Sequence, residues 1–127
     1  MAETQYDTLA IEQSYLAEGQ SRRVEEIRAA ISQLQKMIIR YFSDEHEITL
    51  GSIVRLETKN EQSKYYFITP CAGGLRCQVA LNNHLIIITA ITPASPLGQT
   101  LMGKYKDDII LFSVAKNHTS SLVSAIY

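Results

Sequence analysis

Cysteines and histidines are the residues of this chain whose types could support metal binding or nucleophilic catalysis. The two cysteines, Cys71 and Cys77, are separated by five residues, and no further cysteine or nearby histidine pair accompanies them. A tetrahedral zinc site needs four such ligands. His84 is the nearest candidate base in sequence, which is a weak signal for an activated thiol. We therefore predict two ordinary thiols at a hairpin turn and no metal site.

The other groups that can do chemistry are scattered along the chain. His46, His84 and His118 fall in three separate loops or strand ends, whereas metal ligands must converge. The glycines of "AGGLRC" are not followed by the Lys-Ser/Thr of a phosphate-binding loop. The sequence predicts no catalytic residue, no metal and no cofactor, and these residues alone indicate an interaction protein rather than an enzyme.

Composition places the chain among globular proteins of ordinary polarity. It has 127 residues, of which 46% are apolar and 20% charged, as expected for one compact domain plus an appendage. The net charge of −1 argues against a polyanion partner, so we expect no direct sequence-specific nucleic-acid binding. No segment approaches the roughly 18 apolar residues of a membrane span, and the first residues do not resemble a signal peptide. We predict a cytoplasmic protein with no membrane partner.

A long helix is predicted for the first domain, residues 1–42. Residues 4–40 contain no proline and a single glycine. Isolated helices are marginal in water, and the sequence predicts no second long helix to pack against this one. Apolar residues spaced 3, 4, 3 and 4 apart form a coiled-coil seam, which we expect to pair antiparallel with a second copy in a homodimer: Val24, Ile27, Ile31, Leu34 and Ile38.

The second domain, residues 48–127, has a strand-like pattern. Residues 52–57 and 64–69 flank a polar turn and predict a hairpin. The β-branched run 84–92 predicts a central strand buried on both faces. With two further strands at the C-terminus, the sequence predicts an α+β fold with a mostly antiparallel sheet and one short helix.

The short helix lies in "SPLGQTLMGK". Ser95 suits the N-cap and Pro96 the first helical turn, where its missing N–H costs nothing. Gly103 suits the C-terminal end, where a left-handed conformation is common. The segment contains no reactive residue type, which favours docking onto a partner over catalysis.

The stretch "SPLGQTLMGKYKDDIILF" resembles the signature of the Gre-type (GreA/GreB) transcript-cleavage factors of bacterial RNA polymerase. That signature has Ser-Pro, a short helix, Gly-Lys, an acidic turn and an apolar strand. Residues 2–34, with Tyr6 and "RRVEEI", are similar to the second helix of the family's coiled-coil hairpin. The two matches occur in the family's order and together cover nearly the whole chain.

The resemblance implies an FKBP-like C-terminal domain that docks near the secondary channel of RNA polymerase through Ser95, Pro96 and Leu97. Family members often carry an acidic or amide residue where this chain has Ala94. The acidic tip of the family's hairpin helps hold a second Mg²⁺, which belongs to the polymerase active site. This chain is expected to lack the first helix and that tip, with Glu3 the nearest acid, so cleavage stimulation is not carried over.

The leading hypothesis is therefore a Gre-type transcription elongation factor that binds RNA polymerase and is not itself an enzyme. One alternative is an inhibitor that competes with cleavage factors for the secondary channel. Another is an FKBP-like prolyl isomerase, although fold alone does not license an activity and the chain has no tryptophan. A third is a dimeric interaction module without polymerase contact.

Overall fold

The chain consists of one long helix and one sheet domain. The computed structural model describes the backbone of residues 2–114 and 116–127, and the side chains of residues 9–113 and 116–127. The chain divides into two compact units, of which the first ends at Gln35 and the second spans Lys36–Tyr127. Among the described residues, no helix is long and apolar enough to cross a membrane.

Helix α1 spans Ala2–Lys36 and forms the first unit almost alone. The sequence predicted a first domain that continues to residue 42, but the helix ends at Lys36. The segment after it contains two β-branched isoleucines and two aromatic residues, which are weaker helix formers. Phe42 then packs against the core of the second unit. Ile38, predicted as the last seam residue, therefore lies outside α1.

The second unit contains six strands and one short helix. Its elements are β1 (Ile53–Thr58), β2 (Lys64–Ile68), β3 (Arg76–Leu81), β4 (His84–Ile91), α2 (Pro96–Leu101), β5 (Ile109–Val114) and β6 (Asn117–Ile126). All six strands form one sheet in the order β3-β4-β2-β1-β6-β5. The predicted α+β class is confirmed.

Four of the five neighbouring strand pairs are antiparallel, and β2 pairs with β4 in parallel. The predicted β1–β2 hairpin is present. Asn82 and Asn83 both have positive φ, at 51° and 66°, in the turn that joins β3 to β4. Two left-handed residues in a two-residue turn match the twist of an antiparallel hairpin, and asparagine tolerates that conformation.

The hydrophobic core lies between α2 and one face of the sheet. Leu101 of α2 is fully buried, and Leu97 packs against the same core from the first turn of the helix. We call this side of the sheet the α2 face. The buried strand residues of this core are Val54, Leu56, Ile68, Ile91, Ile110, Val123 and Ile126. A six-residue helix cannot cover six strands, so part of the α2 face stays open.

The exposure of β4 differs from the sequence prediction. The run 84–92 was predicted to be buried on both faces, and β4 is indeed an internal strand. However, Leu85 and Ile87 are 71% and 57% exposed, whereas Ile91 on the same face is buried. Ile91 belongs to the core cluster that also contains Leu101 of α2, whereas Leu85 and Ile87 lie outside that cluster.

Candidate functional site

The loop before α2 is held in place by Ser95. This residue is the N-cap, with extended backbone angles of φ −67° and ψ 156°. Its hydroxyl accepts a hydrogen bond from Gly98 N at 3.1 Å and donates one to Thr92 O at 2.6 Å. One side chain thus satisfies an amide of the first helical turn and closes the loop that leads into it. Ser95 has the structural role that its position predicts.

A close approach between α2 and this loop requires glycine at position 98. A Cβ built on Gly98 would lie 1.9 Å from Thr92 O, far below any van der Waals contact. Gly103 after the helix has φ of 79°, and its N–H donates to Ile48 O at 2.9 Å. Both ends of α2 are therefore fixed by glycine and by backbone hydrogen bonds.

The three predicted docking residues are adjacent, but they are not equally accessible. Pro96 and the neighbouring Ala94 are exposed. Leu97 is half-buried against the core and lines a cavity of about 200 Å³. Gln99 Nε2 donates to Ala94 O at 3.1 Å, which adds a further tie across the loop. The segment therefore presents Pro96 on a loop whose conformation is already fixed.

The predicted seam lies exposed along α1. Val24 and Ile27 are each 46% exposed, Ile31 is 48% and Leu34 is 41%. All four are within the helix, so their side chains form one line along it. Ile38, in the segment after the helix, is 68% exposed. Four of the five predicted seam residues thus form one apolar stripe, which we call the seam.

Ion pairs within α1 hold its arginines beside the seam. Arg23 Nη1 lies 3.3 Å from Glu26 Oε2, and Arg28 Nη1 lies 3.4 Å from Glu25 Oε1. These pairs are exposed, so each contributes at most about 0.5 kcal/mol. These ion pairs keep the charged groups on the helix surface beside the seam, so the seam itself stays apolar.

The sequence did not predict a groove on the uncovered part of the α2 face. The open groove has a volume of about 970 Å³. Tyr66 and Thr89 are register partners at its centre, and Arg76 pairs with Thr89 from the other side. Exposed aliphatic side chains of β4 form its floor. The groove residues used below are Lys64, Tyr66, Arg76, Leu85, Ile87 and Thr89. They come from three strands, so no local motif could have shown their proximity.

A carboxylate bridges three distant parts of the second unit. Asp44 Oδ2 accepts a hydrogen bond from Lys106 Nζ at 2.9 Å, and Asp44 Oδ1 accepts one from Ile126 N at 3.1 Å. The hydrogen bond from Lys106, followed by that from Ile126, lowers the pKa of Asp44. The same hydrogen bond to Asp44 raises the pKa of Lys106. This bridge joins the segment before β1 to the turn after α2 and to the end of β6.

The structure does not bring the cysteines and histidines into one site. Cys71 is half-buried and Cys77 is exposed on β3. His46 and His118 are both exposed, and each is hydrogen-bonded through Nδ1 to a nearby serine. No group of three or more His, Cys, Asp or Glu residues in the described part of the chain has a geometry that could hold a metal ion.

Comparison with known proteins gives matches among solved structures. No family model matches the chain, and no curated protein sequence is significantly similar to it. The transcription factor Gfh1 is 24% identical, with 87% of this chain and 69% of that chain covered and a TM-score of 0.51. Gfh1 of Thermus aquaticus is 23% identical over 87% of this chain and 70% of that chain, with a TM-score of 0.49.

A third solved structure is GreA factor homolog 1 (Gfh1) of Thermus thermophilus, which is 23% identical over 87% of this chain and 70% of that chain, with a TM-score of 0.48. Of the three comparisons, the one with a TM-score of 0.51 shows the fold. The chain therefore has the fold of the transcription factor Gfh1.

Proposed function

We propose that this chain is a transcription elongation factor of Gre type that binds bacterial RNA polymerase in the cytoplasm. It docks near the secondary channel through an FKBP-like second unit, and the contact is centred on Ser95, Pro96 and Leu97. The observation that supports this proposal most is the likeness in fold to the transcription factor Gfh1. The same chain also contains the Ser-Pro segment that resembles the Gre signature.

The geometry of the loop supports a docking role. Binding costs free energy when a loop must become ordered, and a loop fixed in advance avoids much of that cost. Ser95 and Gly98 hold the loop through two hydrogen bonds and one close backbone approach. Pro96 remains exposed at its apex and has no backbone N–H that would need a partner. The loop thus presents an apolar ring to a partner at low entropic cost.

In this proposal the chain is a binding protein and not an enzyme. The Ser95 hydroxyl is engaged in the two hydrogen bonds of the N-cap, and residues 92–103 contain no His, Cys, Asp or Glu. Any Mg²⁺ in the complex belongs to the active site of the polymerase, where the chemistry of transcript cleavage takes place. The effect of the chain on the polymerase is then either to occupy the secondary channel or to change access to it.

Capture of core RNA polymerase tests the docking proposal. The variant Pro96→Glu places a charge on the exposed apex but keeps a residue suited to a first helical turn. We expect it to weaken capture by roughly tenfold, as for a central contact residue. The matched control is Leu111→Glu, at a side chain that is 76% exposed on β5. Equal capture of both variants and the original chain would contradict the assignment of this loop.

Stalled elongation complexes distinguish the two modes of action. We expect the chain to leave backtracked RNA uncleaved when Mg²⁺ is present, and to slow cleavage that is stimulated by an added Gre factor. Cleavage above the intrinsic level would instead assign the chain to the cleavage factors. The Pro96→Glu variant is the control, because an effect that depends on docking must be weaker in it.

We also propose that two copies pair through the seam, with their α1 helices antiparallel. The exposure of Val24, Ile27 and Ile31, each close to half, supports this proposal. A parallel pair would place Arg23 of one helix near Arg28 of the other across the flank of the seam. An antiparallel pair centred near residue 29 places Ile27 against Ile31 of the second copy and brings four aliphatic residues of each helix together.

A further inference from the structure

The open groove needs a helix to cover it. β4 lies between β3 and β2, so its backbone groups are already paired and no added strand can bind there. Only side-chain packing can bury Leu85 and Ile87, which are 71% and 57% exposed. A helix or a second sheet can pack on the face of a sheet, and on this face the packed element is a helix, α2, so we take an amphipathic helix as the cover.

Charge defines which helix fits the groove. Arg76 and Lys64 lie on the strands that flank the floor. Arg76 takes part in no ion pair among the residues whose side chains are described. Lys64 Nζ lies 3.5 Å from Glu61 Oε2, but both side chains are more than half exposed, so that pair is weak. Glu61 lines the groove beside Lys64, so the rim holds one weak ion pair and one basic residue, Arg76, outside any ion pair of the described side chains. An aliphatic floor beside Arg76 suits a helix that carries aliphatic residues and a carboxylate.

The N-terminal half of α1 has this composition. From residue 2 to residue 21 the chain has four acidic residues and no lysine or arginine. Leu9 and Leu16 are seven residues apart and are 55% and 67% exposed. Glu12 lies between them at helical spacing, on or beside the same stripe. This stripe is separate from the seam and has no role in the seam pairing.

We propose that the open groove binds the N-terminal half of α1 from a second copy of this chain. The proposal rests on the seam-paired dimer. In an antiparallel pair centred near residue 29, residues 9–21 of one helix extend past Lys36, the last helical residue of the other. That overhang is about 20 Å long at 1.5 Å per residue. The second unit begins at Lys36, so the overhang of one copy lies beyond the helix end from which the other copy's second unit continues in the chain.

Charge reversal tests this contact. We expect Arg76→Glu to raise the dissociation constant of the dimer roughly tenfold, since each dimer contains two such contacts. Glu12→Lys should act similarly, and the double variant should recover most of the loss. The matched control is Lys116→Glu, a charge reversal in the β5–β6 turn. Sedimentation velocity over a range of concentrations measures all four.

The sedimentation results distinguish an absent groove contact from an absent seam dimer. If the original chain dimerises and Arg76→Glu does not change its affinity, the groove contact is overturned while the seam dimer stands. If the chain is monomeric at every concentration, both are overturned. If the double variant is no better than either single variant, Glu12 does not face Arg76 and the proposed contact is wrong.

Zero-length cross-linking gives an independent measurement on the unmodified chain. A mixture of isotopically light and heavy chains is treated with a carbodiimide, which joins a carboxylate to a nearby lysine. We expect Glu12–Lys64 cross-links that combine light and heavy peptides. Cross-links confined to one isotope would mean that the groove does not bind a second copy, and their complete absence would also overturn the proposal.

Discussion

The seam variant Ile31→Asp gives the most direct test of pairing through α1. Ile31 is 48% exposed in the single chain, so about half of its side chain remains to be buried by a partner. Full burial of a large aliphatic side chain contributes about 1.5–3 kcal/mol, so each seam residue has about 1 kcal/mol to gain from pairing. Eight such residues in a dimer offset much of the entropic cost of association.

The substitution removes that gain and buries a charge. In the proposed antiparallel pair, position 31 would face Ile27 of the second copy, and the contact would occur twice. Losing two aliphatic contacts and placing two carboxylates against apolar side chains costs at least about 3 kcal/mol, or roughly a hundredfold in the dimer dissociation constant. We therefore expect Ile31→Asp and Ile27→Asp to sediment as monomers at concentrations where the original chain is dimeric.

Ala29→Asp is the matched control for these variants. Position 29 lies on the side of α1 away from the seam and is exposed, so the same new side chain there should leave the mass unchanged. Circular dichroism reports whether each variant keeps its helix. An unchanged mass for Ile31→Asp, or an equal loss of dimer for Ala29→Asp, would refute the pairing.

Two further predictions concern stability. Gly98→Ala should destabilise the second unit by about 2–3 kcal/mol and weaken polymerase capture, because the new Cβ collides with Thr92 O. Gly19→Ala, where nothing lies within 4 Å of the added Cβ, should be neutral or stabilising in the same thermal unfolding experiment. Lys106 lowers the pKa of Asp44, so this carboxylate stabilises the fold above its ordinary pKa of 3.8, and the contribution is lost as the pH falls through the lower folded value. Thermal midpoints measured from pH 6 to pH 2 should therefore fall less steeply for Asp44→Asn than for the original chain; parallel curves would contradict this.

Local signals in the sequence were sufficient for the elements of the fold. Ser95, Pro96 and Gly103 act within a few residues of α2, so their preferences predicted both ends of that helix. The polar segment between β1 and β2 predicted a turn for the same reason. The α+β class follows from these elements and from the long helical first segment.

Long-range contacts account for what the sequence did not predict. Phe42 packs against the core of the second unit, a long-range contact that helix propensity does not contain, and α1 has already ended at Lys36. The parallel β2–β4 pair depends on the order of strands in the sheet. The apolar run of β4 predicted burial, but the exposure of Leu85 depends on how far α2 extends across the sheet.

The candidate site was predictable only in part. The proposed docking residues, 95–97, are continuous in sequence, and their Ser-Pro pair stands out there. The open groove combines Lys64, Arg76 and Ile87 from three strands. The Asp44–Lys106 bridge joins residues that are 62 positions apart in the sequence. Such sites appear only when strand order and register are known.

Binding of a fluorescently labelled chain to core RNA polymerase tests the central claim most directly. The account predicts saturable binding by the original chain, the same affinity for Leu111→Glu, and roughly tenfold weaker binding for Pro96→Glu. No saturable binding by the original chain, or equal affinity for the two variants, would contradict it.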